Sequence, residues 1–140
     1  MKNIKTFENE NLGANGTMQG ENGETLVCAE TTIPIKFGIS KNQICLDVGI
    51  GFGKSHTHNL ELIKNIDKVK IDGVAMLMAL SSKRVVKLST GVENDELIYG
   101  TIAGNILAVS GGANIIRVHN VKENVLSVKM ADAVLRGKYG

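Results

Sequence analysis

The side chains best suited to chemistry in this sequence are Asp47, Lys83, Arg84, Arg117 and His119. An acceptor carboxylate beside lysine and arginine suits a flat, nitrogen-rich ring joined to a phosphate or diphosphate. The carboxylate takes ring N–H bonds and the cations hold the anion. Arg117 and His119 are two residues apart, so an extended strand would aim both to one side. Taken singly, each has an ordinary reading: Asp47 caps a turn, Lys83 and Arg84 are solvated, and Arg117 is a surface residue. Three charged clusters at three successive strand ends are harder to treat in that way.

The stretch DVGIGFGKSHTHN (47–59) raises a second possibility, because Gly49, Gly51 and Gly53 precede Lys54-Ser55. A phosphate-binding P-loop needs four residues between its first glycine and Gly-Lys-Ser, which would place that glycine at Val48. The dinucleotide pattern G-x-G-x-x-G also fails, since its last position falls on Lys54 or His56. Lys54 therefore reads as a loop residue, and His56 and His58 as a polar lead-in to the next element. Cys28, Cys45 and three scattered histidines have no metal-ligand spacing, and two unpatterned cysteines fit a reducing cytoplasm.

The elements that position these residues follow from hydrophobic patterning. QICLD (43–47) reads as a strand ended by the glycine loop. HNLELIKNIDKV (58–69) reads as a helix with Leu60, Ile63 and Ile66 on one face. VAMLMAL (74–80) has the continuous apolar character of a strand buried on both sides. A polar loop follows, then a helix from about Asn94 whose face is Ile98, Ile102, Ile106 and Val109, stopped by Gly111-Gly112. NIIRV (114–118) is the third strand. Asn120 then stands as an N-cap, with Glu123 at the third helical position, for a helix through Leu126, Met130 and Val134.

Three strand–helix units in succession imply an α/β fold with parallel strands joined by helices. They suit either part of an open doubly wound sheet or an arc of a (β/α)8 barrel; a full barrel usually needs about 250 residues. In both, ligands bind at the carboxyl ends of the strands, where the charged residues fall. Residues 1–35 divide from 36–140. The first 25 residues hold five asparagines and four glycines and read as a lead-in. LVCAETTIPIKFGI (26–39) is ambiguous, its branched residues favouring strand and Pro34 opposing an unbroken helix.

Charge divides along the same line. Residues 1–30 carry a balance of −3 and the remainder +5, a mild positive field suited to a small anion. With five Phe and Tyr residues in all, there is little on which nucleic-acid bases could stack. No run of 18 apolar residues is present to cross a membrane, and the N-terminus lacks the apolar segment of a secretory signal.

Taken in register, ICLDVGIGFGKSHTHNLELIKNID, LMALSSKRVV, GTIAG and GGANIIRVHNVKENVLSVKMADA resemble the C-terminal part of dihydropteroate synthase, from about Lys36 to Ala133. That family carries Asp-Pro-Gly-Ile-Gly-Phe-Gly-Lys, then Ser-Arg-Lys, then Arg-Val-His. The resemblance implies the C-terminal portion of a TIM (β/α)8 barrel, contributing three consecutive parallel βα units. It implies condensation of 6-hydroxymethyl-7,8-dihydropterin diphosphate with p-aminobenzoate, giving 7,8-dihydropteroate and pyrophosphate, with Mg2+ assisting.

By the same resemblance Asp47 binds the pterin ring, Lys83 lies along the pterin and aminobenzoate pocket, and Phe52 shapes that pocket. Arg117 and His119 grip the diphosphate, and Arg84 joins Lys83 on the substrate side. Two positions depart from the family: Val48 replaces proline, altering loop stiffness, and Ser82 replaces arginine, removing a fixed charge next to Lys83. The family's first strands, with its Mg2+ ligand and the rest of the pterin site, have no recognisable counterpart here. The expectation is a truncated homologue that self-associates or pairs with a complementary half-barrel. The alternative is a non-catalytic fragment retaining partial pterin or anion binding. A pterin-binding methyltransferase working with a corrinoid protein fits the Gly-Phe-Gly-Lys and Arg-Val-His motifs less well.

Overall fold

The computed structural model describes residues 38–137, together with strands β1 (Gly16–Gln19) and β2 (Thr25–Cys28). β1 and β2 pair antiparallel, with Gly16 opposite Cys28. Both lie within the stretch set apart from the sequence as a lead-in, and Pro34 falls outside the described residues.

The body of the fold is a three-stranded parallel sheet in the order β3 (Cys45–Asp47), β4 (Ala75–Met78), β5 (Ile115–Ile116). Among the described residues four helices accompany it: α1 (His56–Lys64), α2 (Arg84–Thr90), α3 (Leu97–Ser110) and α4 (Val121–Arg136). Cys45 faces Ala75, Asp47 faces Leu77, and Leu77 faces Ile115. Side chains alternate along each strand, so this register gives the sheet two unlike faces. Leu46, Val48, Met76, Met78 and Leu80 are buried with Leu62, Ile66, Val69, Val85, Val86 and Ala108 from the helical layer. On the other face Cys45 and Ile115 are exposed, while Ala75 and Leu77 are half-buried.

All three expected strands are present, and each is shorter than its apolar run. A 3-10 turn (Lys41–Gln43) precedes β3. The ladder nevertheless extends past β5, since the Asn114 and Arg117 backbone N–H groups donate to the Met76 and Met78 carbonyls (2.8 and 3.0 Å). No described helix is long and apolar enough to cross a membrane.

The helices depart further from the sequence reading. His56 and His58 lie in the first turn of α1, where the Ser55 side chain accepts the His58 N–H (3.1 Å). α1 ends at Lys64, and Ile66–Val69 form a 3-10 turn. Its buried residues are Asn59 and Leu62, whereas Leu60 is exposed. The expected polar loop after β4 contains α2, a helix held by the burial of Val85 and Val86 and ended by left-handed Gly91. Adjacent valines are poor helix formers, so packing decides here over propensity.

α3 buries Thr101, Asn105, Ala108 and Val109, with Ile98, Ile102 and Ile106 only half-buried. The cause is close packing through glycine. A Cβ on Gly100 would come 2.7 Å from Val86 Cγ1, and one on Gly104 2.8 Å from Leu80 Cδ1. α4 starts after Asn120 as expected, but the Asn120 side chain makes no capping bond. Its inner side is Asn124 and Ala131, and the apolar row Leu126, Met130, Val134 faces outward. The contact with α3 runs instead through a buried hydrogen bond from Asn105 Nδ2 to Asn124 Oδ1 (2.8 Å).

Candidate functional site

Each strand of the parallel sheet delivers a polar residue at its carboxyl end. β3 ends in Asp47, the chain leaving β4 carries Ser81 and Lys83, and the chain leaving β5 carries Arg117 and His119. Between β3 and α1 the glycine loop turns back on itself, with Gly49, Gly51 and Gly53 all at positive φ. Asp47 Oδ1 accepts the Gly49 N–H (2.8 Å), closing the first turn of the loop.

Two side chains fix the rest of that loop. Asn59, buried at the start of α1, accepts the Gly51 N–H at Oδ1 (2.7 Å) and donates through Nδ2 to the Ser55 carbonyl (2.7 Å). The Lys54 ammonium donates to the carbonyls of Gly49 (2.6 Å) and Phe52 (2.9 Å). Lys54 is thus an internal brace, not a free loop residue. Neither role was drawn from the sequence; the signal for Asn59 was a polar residue on the buried side of an apolar helix.

Lys83 reaches across from the neighbouring strand end. Its Nζ donates to the Ile50 carbonyl and lies 4.9 Å from the centre of the Phe52 ring, a cation–π contact. The Lys83 stem passes so close to Gly51 that a Cβ there would sit 3.3 Å from Lys83 Cδ. Burial lowers the Lys83 pKa below the ordinary lysine value; Asp47 opposes this and Arg117 adds to it. Lys54 is lowered likewise, first by burial and then by the Lys83 charge.

Arg117 Nη2 stands 3.6 Å from Asp47 Oδ2, a half-exposed ion pair of small energetic worth. His119 turns instead to Ser81, its Nδ1 lying 2.9 Å from Ser81 Oγ. Ser81, Lys83, Arg117 and His119 line one cavity of about 290 Å3 with Ala79 and Val118. The structure therefore brings Asp47, Phe52, Lys83, Arg117 and His119 together. Arg84, at the first position of α2, is exposed and does not line that cavity. Ser82, where the sequence reading places a lost arginine, adopts φ 56° with its N–H directed at Thr101 Oγ1 (3.4 Å).

Around one carboxylate the site assembles three cations, Lys54, Lys83 and Arg117, so an anion is favoured there. A larger cavity of about 460 Å3 lies elsewhere, between β5 and α4, lined mostly by apolar side chains such as Val109, Ile116, Val121 and Val125. It shares Arg117 and Val118 with the cavity at the strand ends and otherwise lies apart from the charged cluster. Among the described residues no group of three or more His, Cys, Asp or Glu side chains could hold a metal ion. Among the described residues the carboxylate at the strand ends is Asp47, already engaged by Gly49 and Arg117, so these residues do not fit a Mg2+ site.

A model of the family described as pterin binding enzyme matches residues 3–119, reaching back well before Lys36, where the motif resemblance begins. Dihydropteroate synthase of Clostridium beijerinckii is 36% identical over 100 residues, covering 71% of this chain and 37% of that protein. The Synechocystis enzyme is 33% identical over 128 residues, covering 91% and 44%. Among solved structures, Yersinia pestis dihydropteroate synthase superposes with a TM-score of 0.69 at 33% identity, over 74% of this chain and 49% of that one. Clostridium difficile dihydropteroate synthase in the presence of pteroic acid gives 0.71 at 35% identity, over 75% and 40%. The Xanthomonas albilineans enzyme with 4-aminobenzoic acid gives 0.70 at 34%, over 74% and 39%. The chain spans less than half the length of each of these relatives.

Proposed function

The chain belongs to the pterin binding enzyme family, and from that premise we propose that it carries the C-terminal half of a dihydropteroate synthase site on an arc of a (β/α)8 barrel. Its substrates are 6-hydroxymethyl-7,8-dihydropterin diphosphate and p-aminobenzoate, and its products 7,8-dihydropteroate and pyrophosphate. The observation that carries this reading is the convergence of Asp47, Lys83 and Arg117 on one braced glycine loop.

Asp47 accepts N–H bonds from the pterin ring, in the place now taken by Arg117. Arg117 swings from Asp47 to the diphosphate, which His119 also holds. Lys83 lies along the ring edge, and Phe52 forms a wall of the aminobenzoate pocket. In the reaction the CH2–O bond of the pterin breaks and its electron pair leaves with pyrophosphate. The aniline nitrogen attacks the CH2 carbon and then loses its proton. Fixed cations lower the barrier by stabilising the charge that grows on the departing oxygen.

The uncovered sheet face supports a second element of the proposal. Cys45, Ala75, Leu77 and Ile115 would line the barrel interior, and completing it requires the first half-barrel, from a longer chain or a partner. A reducing cytoplasm keeps Cys45 as the free thiol it is in the structure.

The test is pyrophosphate release with both substrates, measured on the chain alone and mixed with a first half-barrel, beside calorimetric titration of the pterin diphosphate. Turnover in the mixture that Lys83→Ala abolishes supports the reading. Pterin binding without turnover in either setting favours a non-catalytic fragment. No pterin binding in either setting refutes both.

A further inference from the structure

The Ser81–His119 contact is not explained by anion binding alone. Ser81 is 8% exposed, and its Oγ accepts the His119 backbone N–H (3.2 Å). The same Oγ lies 2.9 Å from His119 Nδ1. A hydroxyl has one hydrogen and two lone pairs, and one lone pair is already used. Among the described residues, the one hydrogen-bond acceptor found for that hydrogen is Nδ1. If Nδ1 carried the ring proton instead, the hydroxyl hydrogen would be left without a protein partner in a nearly buried position, which is unfavourable.

We propose that Ser81 is a positioning residue that holds neutral His119 in its Nε2–H tautomer, so that the ring presents a hydrogen-bond donor to the diphosphate. This rests on the proposed function for the identity of the anion, but not for the tautomer. A neutral imidazole with Nε2 unprotonated would present a lone pair there and repel a phosphate oxygen. With Nδ1 occupied by Ser81, the ring donates from Nε2 without having to be protonated. Lys83 and Arg117, lining the same cavity, supply the charge. His119 supplies a directed bond, and its aim is set from the neighbouring strand end, because Ser81 also holds the His119 backbone.

The test is a long-range 15N–1H correlation spectrum of the full chain labelled at histidine, recorded at a pH where the His119 ring is neutral by the same spectra. The expected result is a pyridine-like Nδ1 and a protonated Nε2. Ser81→Ala should lose that preference and weaken inorganic pyrophosphate binding by about fivefold, the scale of one lost hydrogen bond. Ser81→Thr, which keeps the hydroxyl, should restore both. A protonated Nδ1 in the unaltered chain overturns the inference, and this result needs no variant to fold. An Nε2–H tautomer that persists in Ser81→Ala also overturns it, by removing Ser81 as its cause. An Nε2–H tautomer with no pyrophosphate binding refutes the anion site and leaves the Ser81–His119 pairing standing.

Discussion

The two faces of the parallel sheet are built from the same three strands, one residue out of phase. On one face Leu46, Met76 and Met78 are closed under helices with almost no exposure. On the other, Asp47 and Arg117 crown a column that begins with exposed Cys45 and includes half-buried Leu77 and Ile115, which is 42% exposed. The first face holds the domain together. The second carries the charged residues proposed to bind substrate, and its apolar lower half is only half-buried or exposed among the described residues. On the proposed function, stability and binding fall to alternate residues of one strand, so substitutions on the two faces should have separable consequences.

The largest contrast is in stability. Leu46→Ala should cost about 2–5 kcal/mol, as expected for a filled core site. Ile115→Ala should cost less, about 1–1.5 kcal/mol in the chain alone, because a large part of that side chain is still in water. Chemical denaturation measures both, and equal losses would erase the distinction between the faces. Next comes the brace beneath the site. Asn59→Ala leaves the Gly51 N–H without its acceptor, while the Ser55 carbonyl keeps the backbone N–H of residue 59, and should destabilise by about 1–3 kcal/mol.

Arg117→Ala should behave in the opposite way, with an unfolding free energy within about 1 kcal/mol of the original. Its pyrophosphate affinity should fall about tenfold or more, the scale of a lost charge-assisted hydrogen bond. Comparable effects on folding and binding would blur the division.

The smallest effect is in pH. Because burial lowers the Lys83 pKa, this residue loses its charge below the ordinary value of 10.5. As pH rises through that lowered value, pyrophosphate binding should weaken before the exposed lysines titrate. Stability should move the other way in the same window. The folded state there binds fewer protons than the unfolded state, so the penalty for burying the cation is relieved as pH approaches 10.5. Calorimetric titration and thermal melting across that range would show the two trends diverging.

The placement of the site was readable from sequence because it depends on local rules. Apolar runs of strand length, each followed by charged residues, put Asp47, Lys83, Arg117 and His119 at one end of a parallel sheet. The pairings were not readable, since they join residues distant in the chain. Arg117 meets Asp47, His119 meets Ser81, and Lys83 meets the Ile50 carbonyl. The helices show a different limit. Leu126, Met130 and Val134 recur at helical spacing, yet the side of α4 packed inward carries Asn124 and Ala131. Periodicity reveals an apolar stripe but not which neighbour covers it. In α2 the apolar residues are Val85, Val86 and the half-exposed Leu88, too few to distinguish a packed helix from a polar loop.

The central claim is that the strand ends bind a pterin diphosphate in two parts, the ring at Asp47 and the anion at the cations. Asp47→Asn separates them, since it swaps an acceptor oxygen for an N–H donor and also frees Arg117 from its ion pair. The measurement is paired calorimetric titration of 6-hydroxymethyl-7,8-dihydropterin diphosphate and of pyrophosphate into both proteins, with the first half-barrel present. The account predicts that the variant binds the pterin diphosphate no more tightly than pyrophosphate, while pyrophosphate affinity is kept or improved. Unchanged affinity for the pterin diphosphate in Asp47→Asn would contradict it.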